Sequence, residues 1–318
     1  MMAATYHYVG TYDERIFERE FRDRFGKKPR YNANAIPDLL VLLRLINRDT
    51  SITDVRWAAY MLATVAWETT SPVTQFVQAK NKKGKPLIDK AGNAVMLKRR
   101  AWLMTMAPVD EVGHGKGRKY HEPVKVATLA DGSVRVTEQD GDQFKITASG
   151  AISKLTKGAK MGTVDGGAAV KAYNDDTGTE LAYFGRGYVQ LTWWSNYATT
   201  GAAIGQGLNL LLDPELVKTP AIAYAVMSHG MLTGDGFANG RKFSTYFSGK
   251  SRNYVGARAM VNGSDHAKDI AAIAEVFEAV LLAAGPNRPI TFAPPIDSSL
   301  AGMPLPGARF TSQSRFFQ

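Results

Sequence analysis

Two glutamates stand out as residues that could move protons. Glu68 lies in Ala66-Trp67-Glu68-Thr69-Thr70, three positions after Val65, so a helix through this stretch puts it on or beside the apolar face. Burial beside Trp67 disfavours a carboxylate, and the negative end of a helix dipole does so again. Both effects raise the pKa, which suits a general acid that must keep its proton near neutrality. The plainer alternative is a solvated glutamate at a helix end. The second candidate, Glu111, lies in Met106-Ala107-Pro108-Val109-Asp110-Glu111-Val112-Gly113-His114-Gly115-Lys116-Gly117. Three glycines at alternate positions follow it, giving a loop free to line a cleft. An acid on a helix end and a base on a facing loop, with room for a water between them, is the arrangement that inverts a glycosidic centre. Asp110 competes with Glu111 for the second role.

A groove to hold such a substrate has its own candidate stretch, Tyr183-Phe184-Gly185-Arg186-Gly187-Tyr188-Val189-Gln190-Leu191-Thr192-Trp193-Trp194-Ser195-Asn196-Tyr197. Gly185 and Gly187 allow a tight turn or a close backbone approach. The rings offer flat apolar faces, and Gln190, Thr192, Ser195 and Asn196 offer donors and acceptors. A glycine turn leading into an aromatic core segment would use the same residues. Other chemistry is weaker. His114 and His121 are seven apart, match no usual metal spacing and have no cysteine to join them. Gly113-x-Gly115-x-Gly117 lacks the Gly-Lys-Ser/Thr of a phosphate loop. Lys80 to Lys85 with Lys98-Arg99-Arg100 form a basic patch, but two carboxylates beside an aromatic groove would repel nucleic acid phosphates.

Helices must position Glu68. Ile16, Phe17, Phe21 and Phe25 give residues 13–30 an amphipathic helix closed by Gly26 and Pro29. Pro37 suits a first helical turn, followed by Leu39, Leu40, Leu43 and Ile46. A third helix, capped by Ser51 or Thr53, runs through Val55, Ala58, Ala59, Leu62, Val65 and Ala66 to Glu68 and stops by Ser71-Pro72. Residues 76–103 read as a hairpin with a basic tip. Asp131-Gly132 and Asp140-Gly141, set between alternating apolar residues, predict further hairpins over 123–160. Asp213-Pro214 and Thr219-Pro220 open helical turns, 220–232 is an apolar helix, and a last helix spans 265–284 before Gly285-Pro286. The expected organisation is one catalytic domain over 1–285, with insertions at 76–103 and 123–160, and a proline-rich tail over 286–318, extended or disordered.

The 318 residues include no cysteine, so no disulfide framework exists and synthesis in a reducing cytoplasm is the simpler expectation. No apolar run is long enough for a membrane span, and Met1 to Gly10 lacks a signal pattern. A net charge of +10 favours polyanionic partners such as an anionic cell wall.

Glu68-Thr69 at a helix end, the Tyr183–Tyr197 stretch and Met260-Val261-Asn262-Gly263 together resemble the family 19 glycoside hydrolases, which hold plant-type chitinases and related phage endolysins. Met106 to Gly113, with Gly117-Arg118-Lys119-Tyr120, looks more like the endolysin branch. The resemblance covers about 35–75, 104–122 and 180–284. It implies a mainly α (α+β) lysozyme-like fold, two helical lobes around a cleft with inserted β-hairpins. It implies Glu68 as acid and Glu111 as base, with Thr192 helping to hold the attacking water. Thr69, Gln190, Asn196 and Asn262 would contact the sugar, and Tyr183 and Arg186 would shape its cleft. Trp67 stands where the family has histidine, and Thr70 where it has glycine. The expectation is an endolysin-type hydrolase, without cofactor or metal, cutting β-1,4 bonds of peptidoglycan with inversion. Chitin is the alternative substrate, and a non-catalytic wall-binding or virion protein the alternative class. The protein is expected to be a monomer made in a host cytoplasm and released to the wall, with anionic wall polymers as further partners.

Overall fold

The computed structural model describes residues 11–156 and 178–285. Helix α1 (Glu14–Phe25) starts at Asp13, whose carboxylate accepts from the amides of Arg15 and Ile16, and it buries Phe17, Phe21 and Phe25. Helix α2 (Ile36–Arg48) carries Pro37 in its first turn, as expected. Helix α3 (Val55–Glu68) is buried at every position from Val55 to Ala66. A helix apolar on all sides belongs in a core rather than on a surface. Its cap is Asp54, not Ser51 or Thr53. The Asp54 carboxylate accepts from Arg56 N at 2.8 Å and pairs with the buried Arg56 guanidinium, whereas Ser51 is engaged by Asp49.

Ser71-Pro72 does stop the helix, but the chain goes straight into a strand, because the extended geometry required before proline is also strand geometry. Strands β1 (Thr70–Gln78) and β2 (Met96–Met104) pair antiparallel from Thr70↔Met104 to Gln78↔Met96, so the hairpin is longer than the predicted 76–103. Its tip folds into two turns. Asn81 Oδ1 accepts from the amides of Lys83 and Lys85, and Asp89 Oδ1 from those of Ala91 and Asn93. Strand β3 (Val109–Asp110) follows. Next come β4 (Val124–Thr128), β5 (Val134–Thr137), β6 (Gln143–Ile146) and β7 (Ile152–Thr156), with Asp131-Gly132 and Asp140-Gly141 at the turns as predicted. Strand β8 (Thr179–Leu181) joins them in an antiparallel sheet of order β7-β6-β5-β4-β8. Strand β9 (Arg186–Gly187) pairs with β3, and its Arg186 also bridges Leu191.

The remainder is helical: α4 (Trp194–Ala203), α5 (Asn209–Leu212), α6 (Pro220–Thr233), α7 (Phe243–Tyr246), α8 (Tyr254–Ala257) and α9 (Ala267–Ala284). Asp213 caps a 3-10 turn over Pro214–Lys218, whereas Thr219 makes no side-chain capping bond to α6. Helix α9 packs along α1 and α3. There the Phe277 ring lies 5.9 Å from Phe21 and 4.6 Å from Phe25. Helices thus carry the core while strands form the two insertions and one short ladder, and the mainly α, α+β expectation stands. No helix among the described residues is long and apolar enough to cross a membrane. The glycine-rich run 158–168 and the tail 286–318 lie outside the described residues.

Candidate active site

Glu68 is the last residue of α3, and the core holds it there. The Thr69 hydroxyl donates to Val65 O at 2.7 Å and accepts from Met106 N at 3.2 Å, while Thr69 O accepts from Thr105 at 2.9 Å. These bonds tie the helix end to the chain leaving β2. The Glu68 side chain is 14% exposed and ion-pairs with Arg258, itself 2% exposed. Arg258 also donates to Asp265 O at 2.9 Å, so the guanidinium cannot swing away freely. Burial raises the Glu68 pKa above the ordinary carboxylate range, and the Arg258 charge opposes the rise without cancelling it. Trp67 packs between the Arg30 guanidinium, 3.7 Å from its ring centroid, and the His266 ring at 4.7 Å.

Glu111 is held from a different direction. The ladder Val109↔Gly187 and Asp110↔Arg186 ends where Glu111 N donates to Gly185 O at 2.7 Å. Gly185 N returns a bond to Glu111 Oε2 at 3.1 Å, and the Tyr120 hydroxyl donates to Oε1 at 2.9 Å. Both carboxylate oxygens are therefore oriented. Burial, and then the Glu111 carboxylate, push the Tyr120 pKa up to about 12. Gly185 leaves little room for a side chain: a Cβ there would sit 3.0 Å from Gln190 Oε1 and 3.2 Å from the Glu111 side chain. Asp110 lines the same cleft, but its carboxylate is engaged by cations. It accepts from Lys218 at 2.9 Å and lies 3.6 Å from Arg186 Nε. What separates the two competitors is their partners: Asp110 faces Lys218 and Arg186, whereas Glu111 accepts from the neutral Tyr120 hydroxyl and Gly185 amide.

One cleft of ≈ 450 Å³ is lined by both Glu68 and Glu111, and Gln190, Thr192 and Asn262 line it too. Gln190 Nε2 donates to Val109 O and Gly187 O, both at 3.1 Å, so its amide nitrogen also braces the ladder that carries Glu111. Four other expected site residues, Thr69, Tyr183, Arg186 and Asn196, do not line the cleft. Thr69 and Tyr183 are buried, and the Tyr183 hydroxyl donates to Leu211 O at 2.5 Å. Arg186 is buried too, stacked 3.6 Å over Phe184 and bonded to Glu215 at 3.0 Å and Ala182 O at 3.0 Å. Asn196 donates to Thr192 O at 3.0 Å and does not line the cleft. These four hold the walls.

Sequence reasoning missed Arg258, Tyr120, Arg118 and Trp102. The last three line the cleft, and Arg258 pairs the acid candidate. Arg258 left one signal, its place two residues before Met260-Val261-Asn262-Gly263. Tyr120 stood in a quoted motif without a role. The two histidines form no metal pair: His121 Nδ1 lies 2.6 Å from His114 O, and the His114 ring stacks on Phe184. An acidic group on the β5–β6 side, Glu138, Asp140 and Asp142, is partly engaged already, by Trp194 and Lys154.

With the geometry in place, comparison with known proteins is informative. Residues 160–235, which include the whole Tyr183–Tyr197 stretch, match the family model "Glyco_hydro_19: Chitinase class I". The family 19 resemblance holds. The chain is 41% identical over 73 residues to the acidic endochitinase pcht28 of Solanum chilense. It is 38% identical over 73 residues to an acidic 26 kDa endochitinase of Solanum lycopersicum. Each match covers 23% of this chain and 28% of the relative, so the chain spans little more than a quarter of the curated relatives' length. Among solved structures, chitinase C from Streptomyces griseus aligns over 85% of this chain and 78% of its own, at 19% identity and a TM-score of 0.39. A bacterial family 19 chitinase aligns over 85% of this chain and 97% of its own, at 18% identity and a TM-score of 0.38.

Proposed function

We propose that the protein is a glycoside hydrolase that cuts β-1,4 bonds of a glycan containing N-acetylglucosamine, with Glu68 as general acid and Glu111 as general base. The observation that carries this reading is that two carboxyl groups in unlike surroundings line one cleft. Glu68, buried and raised in pKa, keeps a proton to give to the leaving oxygen. Glu111, with both oxygens oriented by Tyr120 and Gly185, takes a proton from a water on the opposite face of the sugar. Thr192, also in the cleft, helps to hold that water, and Asn262 contacts the sugar.

The substrate we favour is peptidoglycan, in the manner of a phage endolysin released to the wall. The Met106–Gly113 and Gly117–Tyr120 resemblance supports it, as does a net charge of +10. The second reading is chitin, favoured by the names of the curated relatives. Purified protein on each polymer, assayed for new reducing ends beside Glu68→Gln and Glu111→Gln, decides. Release from neither polymer sinks the hydrolase reading. Fresh product with the β anomer in excess sinks inversion.

A further inference from the structure

The β1–β2 hairpin leaves the cleft as a two-stranded arm, with no third strand beside it among the described residues. Strands rise about 3.4 Å per residue, so nine paired positions extend roughly 30 Å. Directly opposed residues share a face. One face therefore carries Pro72 with Trp102, Thr74 with Arg100, Phe76 with Lys98, and Gln78 with Met96. Trp102 lines the cleft at the root of this face, together with Thr70 and Ser71. Trp102 is 55% exposed and, farther out, Phe76 is 66% and Met96 49% exposed. Rings and cations follow one another along this face from the candidate active site outward.

The arm is also charged far beyond its size. Residues 80–100 hold eight lysines and arginines, all exposed, against one acid, Asp89. That carboxylate is turned inward to the amides of Ala91 and Asn93. None of the eight cations makes an ion pair among the described residues. A two-stranded hairpin alone in water is marginal, and one that exposes aromatic and cationic side chains without partners is shaped for something laid along it.

We propose that this face is a docking track for the carboxylates on a peptidoglycan strand, the acidic groups of its peptide stems, so that the arm selects an anionic glycan over a neutral one. The proposal rests on the hydrolase reading above and names the substrate class of that same site. A strand seated between Glu68 and Glu111 runs out past Trp102 and lays its sugars on Phe76. Lys98 and Arg100, between the tip and the cleft, pair with the carboxylates that flank each sugar. A lipid surface would instead meet the tip, where Leu87 and Ile88 are exposed.

The test is binding, read in a Glu68→Gln background so that it does not depend on turnover. Lys98→Gln/Arg100→Gln is compared with the parent in sedimentation with purified sacculi stripped of phosphate polymers, and with the same sacculi after amidation of their carboxylates. Both side chains are exposed, so the substitutions leave the core untouched. The expected result is about tenfold weaker binding by the variant to untreated sacculi, the combined effect of two exposed pairs. Parent and variant then bind amidated sacculi and chitin alike, and added salt narrows their difference on untreated sacculi. Equal binding of parent and variant to untreated sacculi overturns the proposal. So does a parent preference that survives amidation, or one seen only with phosphatidylglycerol vesicles. Hydrolysis of short N-acetylglucosamine oligomers by the Lys98→Gln/Arg100→Gln variant with Glu68 intact reports the cleft alone, and equals wild type if the arm acts only in docking.

Discussion

The two carboxylates that share the cleft are mounted in opposite ways. Glu68 ends a helix buried along nearly its whole length, and its partner Arg258 is itself buried. Glu111 hangs from a ladder of two residue pairs and is aimed by one tyrosine and one glycine amide. The acid side borrows its position from the core, so changes to the groups that hold it should cost stability first. The base side rests on a few hydrogen bonds, so changes there should cost activity and leave the fold standing. A buried site also perturbs a proton affinity, which a general acid needs.

The largest expected effect is on the acid itself. Glu68→Gln keeps the shape and removes the transferable proton, so turnover on the preferred polymer should fall about 10²- to 10⁴-fold. A reducing-end assay reads it, and a variant as active as wild type removes Glu68 from the mechanism. Next is Arg258→Gln, which leaves a buried carboxylate without its counter-charge. Breaking such a pair costs about 3–5 kcal/mol when the remaining charge stays ionised. The pKa of Glu68, already raised by burial, rises further once the opposing Arg258 charge is gone. A carboxyl group with a raised folded pKa loses stabilisation as pH climbs through that pKa. The denaturant-measured deficit should therefore be small in acid and grow toward neutral pH. The alkaline limb of kcat/KM, which reports loss of the acid's proton, should move to higher pH. An unmoved limb would break the claim that Arg258 sets the proton affinity of Glu68.

On the base side, Gly185→Ala places a Cβ 3.2 Å from Glu111 and 3.0 Å from Gln190 Oε1. Crowding of this kind costs about 1–3 kcal/mol of stability. A base displaced by about 1 Å costs on the order of a hundredfold in kcat, so a shift of a few tenths of an ångström should cost several-fold. Activity should thus fall more than thermal stability does, the reverse of what Arg258→Gln does near neutral pH. Equal losses on both measures would erase the distinction between the two mountings.

The sequence carried the helical frame because its signals were local. Phe17, Phe21 and Phe25 recur at helical spacing, and Asp131-Gly132 marks its turn without help from distant residues. It carried the two glutamates because each stood in a readable context, a helix end and a glycine-rich loop. What it could not carry was direction. Tyr183 and Arg186 belong to a motif that resembles a substrate groove, yet both side chains turn inward to Leu211 O and Glu215. Arg258 reaches Glu68 across 190 positions, a contact that no local pattern announces. Asp110 and Glu111 could not be ranked until their distant partners were known, Lys218 and Arg186 for one, Tyr120 and Gly185 for the other. The same blindness to direction put the cap of α3 at Ser51 or Thr53, when the carboxylate of Asp54 was one residue away.

The smallest effects separate the two mountings most cleanly, because they remove one hydrogen bond from each. Tyr120→Phe deletes the donor to Glu111 Oε1 and nothing in the core. A hydrogen bond to a charged group is worth about 1.5–3 kcal/mol, and an oriented base that relaxes toward water recovers much of it. The expectation is a fall of about fivefold to tenfold in kcat with Tm nearly unchanged. Thr69→Val deletes the hydroxyl that links Val65 O to Met106 N, wholly inside the protein. An unsatisfied buried group costs about 1–3 kcal/mol, so Tm should drop while kcat of the folded fraction stays close to wild type. Measured side by side, the pair should cross: one variant slow and stable, the other fast and fragile. If Tyr120→Phe melts early and Thr69→Val turns over slowly, the acid is not the residue the core positions, and the roles assigned to the two sides must be exchanged.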